Sequence, residues 1–134
     1  MDNDPVAVAH VQVNLFCDDV PSCLAFYRSL GLPEVFRFPE TGAVQHAEVD
    51  AAGTRLGLTS AAAANRIAGL GVGTGGGRST EVVLWSPDVD GLFARAVSAG
   101  AAAVTGPMDS PDGRLRYAWV LDPAGHQVKL VQAR

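Results

Sequence analysis

Two segments of this chain recur at nearly one spacing, and that duplication constrains the fold more than any single residue does. Asp50-Ala-Ala-Gly-Thr-Arg-Leu-Gly-Leu58 lines up with Asp122-Pro-Ala-Gly-His-Gln-Val-Lys-Leu130 at an offset of 122 − 50 = 72. Asp19-Val-Pro-Ser-Cys-Leu-Ala-Phe-Tyr-Arg-Ser-Leu-Gly31 lines up with Asp88-Val-Asp-Gly-Leu-Phe-Ala-Arg-Ala-Val-Ser-Ala-Gly100 at 88 − 19 = 69. A solenoid needs more than two repeats, so the chain reads as two packed modules of one architecture.

Each module reads as strand, helix and three strands. Val11, Val13 and Leu15 alternate with Gln12, Asn14 and Phe16, giving a strand with one packed face. Asp19 is a helix cap with Pro21 in the first turn, and Val20, Cys23, Leu24 and Tyr27 keep helical spacing until Gly31. Strands over 34–38, 44–49 and 54–59 follow. In the second module a strand over 81–86 precedes a helix capped by Asp88, with Val89, Leu92, Phe93, Ala96 and Val97 inward. Strands over 103–108, 115–121 and 126–132 are then separated by Ser110-Pro-Asp-Gly113 and Asp122-Pro-Ala-Gly125.

The fold class is therefore α+β, two βαβββ modules in one domain over 1–134, with module one at about 9–60 and module two at about 79–134. Between them lies a Gly/Ala-rich linker at 61–78, able to form at most one helical turn because each interior glycine costs about 1 kcal/mol. Gly71-Val-Gly-Thr-Gly-Gly76 matches G-x-G-x-x-G, yet it joins no strand to a helix, so it reads as a connector rather than a phosphate cradle.

A 134-residue chain that is 48% hydrophobic and 18% charged has enough apolar material for one ordinary core. Its net charge of −4, with no basic cluster, argues against a nucleic-acid partner. Acids near the N-terminus and the lack of a long apolar run argue against a leader or a membrane partner, and a cytoplasmic protein is expected. Cys17 and Cys23 have neither scaffold nor zinc spacing and read as free, buried thiols, Cys23 occupying the place of Leu92 in the repeat.

The duplicated unit, with Asp19-Val20 leading to Phe26-Tyr27-Arg28 and Leu30-Gly31-Leu32, and with Trp119 ahead of Asp122-Pro-Ala-Gly125, resembles the vicinal oxygen chelate superfamily. That superfamily includes glyoxalases, extradiol dioxygenases, fosfomycin-resistance transferases and bleomycin-resistance proteins. The resemblance implies two curved mixed sheets around a cleft, often in a homodimer. It also implies that metal-dependent members take ligands from the first and last strands of each module, which are Gln12, Gly57, Glu81 and Lys129 here.

Gln12 and Glu81 can ligate a metal, but Gly57 has no side chain and a charged Lys129 has no lone pair. No metal and no cofactor is therefore expected. If the sheets close as the resemblance implies, Glu81 and Lys129 form an ion pair in the metal's place, or act as general base and electrostatic stabiliser, the only catalytic candidates. His10, His46 and His126 fall outside the ligand positions. The expected ligand-binding set is Gln12, Asn14, Phe16, Arg55, Gly57, Glu81, Val83, Trp85 and Lys129; the facing of Tyr117 and Trp119 stays open. The function expected from the resemblance is metal-free binding of a small molecule, such as sequestration of a drug or natural product. The alternatives are a metal-independent lyase or isomerase in the same cleft, or a metal-dependent lyase or dioxygenase.

Overall fold

The computed structural model describes residues 10–74 and 80–134. Local chemistry sets the ends of its two long helices in the same way. Asp19 caps α1 (Val20–Ser29), one carboxylate oxygen accepting from the Ser22 amide at 3.4 Å and the other from the Ser22 hydroxyl at 2.7 Å. Asp88 caps the later helix, Val89–Ser98, accepting from the Gly91 amide at 3.0 Å. Gly31 and Gly100 follow the two helices at φ of +92° and +104°, a conformation that a side chain would strain.

Among the described residues, eight strands lie around these helices. The first sheet holds β1 (Val13–Cys17), β2 (Glu34–Phe38), β3 (His46–Ala51) and β4 (Thr54–Ser60) in the order β1-β4-β3-β2. After α2 (Ala61–Ala68), the second holds β5 (Val82–Trp85), β6 (Ala102–Asp109), β7 (Leu115–Leu121) and β8 (Gln127–Ala133) in the order β5-β8-β7-β6, with α3 (Val89–Ser98) after β5. β1 runs parallel to β4 with Asn14 beside Gly57, and β5 runs parallel to β8 with Val83 beside Lys129. These pairs are related by the sequence offsets, 14 + 69 = 83 and 57 + 72 = 129, so the duplication extends to strand register. The sheets stay two separate four-stranded units, and the βαβββ architecture read from the sequence is present twice.

One core serves both modules. Cys17, Leu58, Val49, Val89, Val120 and Leu130 belong to a single buried cluster, and α1 touches α3 within it. A buried polar bond crosses the same junction: the Tyr27 hydroxyl on α1 donates to an Asp122 oxygen at 2.7 Å. Asp122 also accepts from the His126 ring at 2.6 Å and from the amides of Ala124 at 3.0 Å and His126 at 2.9 Å. Burial works against its ionisation, but the bonds from His126 and Tyr27 outweigh that and hold its pKa below the usual value. For His126, burial again opposes the charge, and the bond to Asp122 overcomes it and raises the imidazole pKa. Among the described residues no buried side-chain nitrogen or oxygen lacks a partner.

Cys17 and Cys23 are free and buried as expected. The Cys17 thiol is pushed far up, first by its bond with Cys23 and then by burial. The linker differs from the expectation of at most one turn, because α2 spans eight residues. Ser60 caps it by accepting from the Ala63 amide at 3.0 Å, and Gly69 ends it in the left-handed conformation. The Asn65 side chain then holds Val72, donating to its carbonyl at 2.9 Å and accepting from its amide at 2.8 Å. The end of the glycine motif lies outside the described residues. No helix among the described residues is long and apolar enough to cross a membrane.

Candidate functional site

Each sheet buries one face under its helix and leaves the other open. On the first sheet the alternation of β3 puts Ala47 and Val49 in the core and turns His46 and Glu48 outward, in line with Gly57 and Thr59 on β4 and with Asn14 and Phe16 on β1. Glu48 is the hub. Its carboxylate accepts from Arg55 at 2.8 Å, from the Gln12 amide at 3.1 Å and from His46 Nε2 at 2.8 Å. Burial pushes the Glu48 pKa up, but the bonds from His46, Gln12 and Arg55 prevail and hold it low. The other His46 nitrogen lies 2.8 Å from the Thr59 hydroxyl. With the proton on Nε2 the ring donates to Glu48 and its Nδ1 accepts from the Thr59 hydroxyl, giving a hydrogen-bonded line from Thr59 through His46 to Glu48.

Gly57, which has no side chain and is in the expected ligand-binding set, could leave space for a ligand beside it. Instead Asn14 fills that room: a Cβ at Gly57 would meet the Asn14 carboxamide oxygen at 2.0 Å and the Gln12 amide nitrogen at 3.0 Å. Gln12 also donates to Asn14 at 2.9 Å, so both amides are engaged within their own sheet. A cavity of about 510 Å³ lies beside them, lined by Gln12, Phe36, Glu48 and Arg55 together with His10.

On the second sheet the open face carries Glu81, Val83 and Trp85 beside Lys129, Tyr117 and Trp119. This settles the facing of Tyr117 and Trp119. Their rings pack at 4.7 Å between centroids, and the Lys129 ammonium sits over both, 5.3 Å from Tyr117 and 5.6 Å from Trp119. The expected Glu81–Lys129 pair is absent. Parallel register places Val83, not Glu81, beside Lys129, and one Glu81 oxygen accepts from Gln127 at 2.6 Å and from the Trp119 indole at 3.3 Å. Lys129→Met and Glu81→Gln, linked only through the Trp119 ring that both touch, should therefore couple by less than about 1 kcal/mol in a double-mutant cycle by urea denaturation. A larger coupling would restore the ion pair.

The residues read from the sequence thus fall into two groups on different sheets: Gln12, Asn14, Phe16, Arg55 and Gly57 on one, Glu81, Val83, Trp85 and Lys129 on the other. A cavity of about 580 Å³ between β1 and β5 brings Arg55 together with Glu81, Val83 and Trp85, over a floor that includes Leu30, Leu32 and Leu92. Lys129 borders neither cavity. Sequence reasoning passed over Glu48, His46 and Gln127. The alternation of His46-Ala-Glu-Val-Asp-Ala51 was the available signal, because it puts three titratable groups, His46, Glu48 and Asp50, on the face of the chosen residues.

The four first-strand and last-strand positions do not make a metal site. Gln12 is tied to Asn14 and Glu48, the side of Gly57 is filled, and Lys129 brings a positive charge where a ligand would need a lone pair. Among the described residues no three His, Cys, Asp or Glu side chains converge as a metal set would.

The comparisons with known proteins agree on the fold. Residues 7–130 match the model of the Glyoxalase/Bleomycin resistance protein/Dioxygenase superfamily. Protein SA1046 of S. aureus superposes with a TM-score of 0.80 at 20% identity, covering 96% of each chain. TioX of Micromonospora sp. ML1 gives 0.73 at 28% identity, covering 95% of this chain and 100% of that one. A lactoylglutathione lyase of Agrobacterium tumefaciens gives 0.68 at 23% identity, covering 96% and 95%. No curated protein matches the sequence.

Proposed function

We propose that this chain, which belongs to the Glyoxalase/Bleomycin resistance protein/Dioxygenase superfamily, is a metal-free cytoplasmic protein that binds a small organic molecule and works as a homodimer. The observation that carries the reading is the aromatic character of the two open faces. Trp85 is 66% exposed, Phe38 57% and Phe36 47%, on sheets where two of the four would-be metal positions, Gly57 and Lys129, offer no donor. Large apolar side chains left open at this density mark a surface that is covered in use. In one chain the helices of both modules occupy the shared core, so a second copy is what can set a second sheet against the first and enclose a cleft. Sequestration of a drug or natural product is the role such a cleft supports.

Protein purified without chelator should contain no stoichiometric Zn, Ni, Fe or Mn, melt at the same temperature with and without EDTA, and scatter light with twice the 13.9 kDa mass of one chain. One metal per chain, lost in Glu81→Ala, would overturn the metal-free reading, and a 13.9 kDa particle at micromolar concentration would overturn the dimer.

A second reading, a metal-independent lyase or isomerase, is favoured by the Thr59–His46–Glu48 line, which places a general base on the open face of β3. Recovering the bound molecule unchanged after prolonged incubation supports binding alone. A product lost in His46→Gln, with binding retained, supports the enzyme.

A further inference from the structure

We infer that the open face of the second sheet binds a planar aromatic acid, its carboxylate on Lys129 and its ring against Trp119, Tyr117 and Trp85. The inference rests on the small-molecule reading above and names the class of molecule.

The argument starts from an ammonium without an acceptor. Lys129 is half-buried, yet among the described residues its nitrogen takes part in no hydrogen bond and no salt bridge. Two ring faces hold it in place through their quadrupoles, which fix a cation but give its N–H groups no lone pair of an oxygen. The carboxylate on the neighbouring strand is held elsewhere by neutral donors, since Glu81 takes the Gln127 amide and the Trp119 indole. Negative charge is thus kept at the start of β5, and the positive charge two residues along β8 is left for a ligand.

The same contacts prepare the ring surface. The bond from Trp119 to Glu81 fixes the plane of the indole, and Tyr117 leans on it at 51°. Trp85 lies on the same sheet face with two-thirds of its surface open, and Met108 flanks Tyr117 across β6 and β7 at 44% exposure. Aromatic and thioether groups suit a flat ring, while a single ammonium with no second cation beside it suits a monoanion better than a phosphate dianion. A cationic ligand would be repelled by Lys129.

The test compares 2-naphthoate with 2-naphthalenemethanol, the same ring without the charge, by tryptophan fluorescence and calorimetry on the full chain. Wild type should bind the acid at least about 10-fold more tightly, as one charge-assisted hydrogen bond implies. Lys129→Met should bring the two within about threefold of each other, and Lys129→Arg should retain the preference for the acid. Equal binding of both probes by wild type overturns the inference and leaves the small-molecule reading standing. Binding of neither, with the protein folded and dimeric, overturns both.

Discussion

Asp122→Ala should lower the free energy of unfolding by about 3–5 kcal/mol in urea denaturation near pH 6, the range for stripping one partner from a buried, charge-assisted network. Its side chain is fully buried and accepts from Tyr27, from the His126 ring and from two turn amides, so removal orphans four donors together. The pH dependence should change as well. The raised pKa of His126 contributes stability that is complete below about pH 6.5 and is lost as pH rises through the folded value. The lowered pKa of Asp122 contributes stability that is complete above about pH 4 and is lost as pH falls through its folded value. Wild type should therefore draw most from the pair between about pH 4 and 6.5, and Asp122→Ala should lack that optimum. A loss below about 1 kcal/mol with an unchanged pH profile would show that the network is incidental.

The second large effect tests whether the modules share their stability. Leu58 and Leu130 are equivalent in the repeat, 58 + 72 = 130, and both are fully buried in the same cluster. Leu58→Ala and Leu130→Ala should each cost about 2–5 kcal/mol, the range for buried leucines that leave a cavity. Both tryptophans, Trp85 and Trp119, lie in the second sheet, so their fluorescence reports that sheet while circular dichroism reports the whole chain. In Leu58→Ala the two signals should still move together, because a lesion in the first sheet weakens the one core. Separate transitions would mean that each module unfolds alone.

What the sequence revealed was what local chemistry decides. Asp19 and Asp88 announce helix starts, Gly31 and Gly100 announce ends, and the matched turns after Asp50 and Asp122 fix where hairpins fold. The extent of α2 escaped because the glycine cost was spread over the whole segment, whereas Ser60 and Gly69 confine the helix to residues without glycine. The site was less legible. The repeat correctly made Lys129 the counterpart of Gly57, but which residue stands across from it depends on parallel register, which put Gln127 near Glu81 and two rings under Lys129. Glu48 escaped because a polar residue alternating with apolar ones reads as solvated until pairing brings Gln12 and Arg55 to it.

The bond between Tyr27 and Asp122 also bears on the history of the duplication. By the same offsets the counterpart of Tyr27 is Ala96, which has no hydroxyl, and the counterpart of Asp122 is Asp50, whose carboxylate accepts from the Gly53 amide at 2.9 Å. The halves have thus diverged into donor and acceptor. A chain built from two copies of the second half would have two such carboxylates and no tyrosine at the helix position to meet them, so the halves are no longer interchangeable.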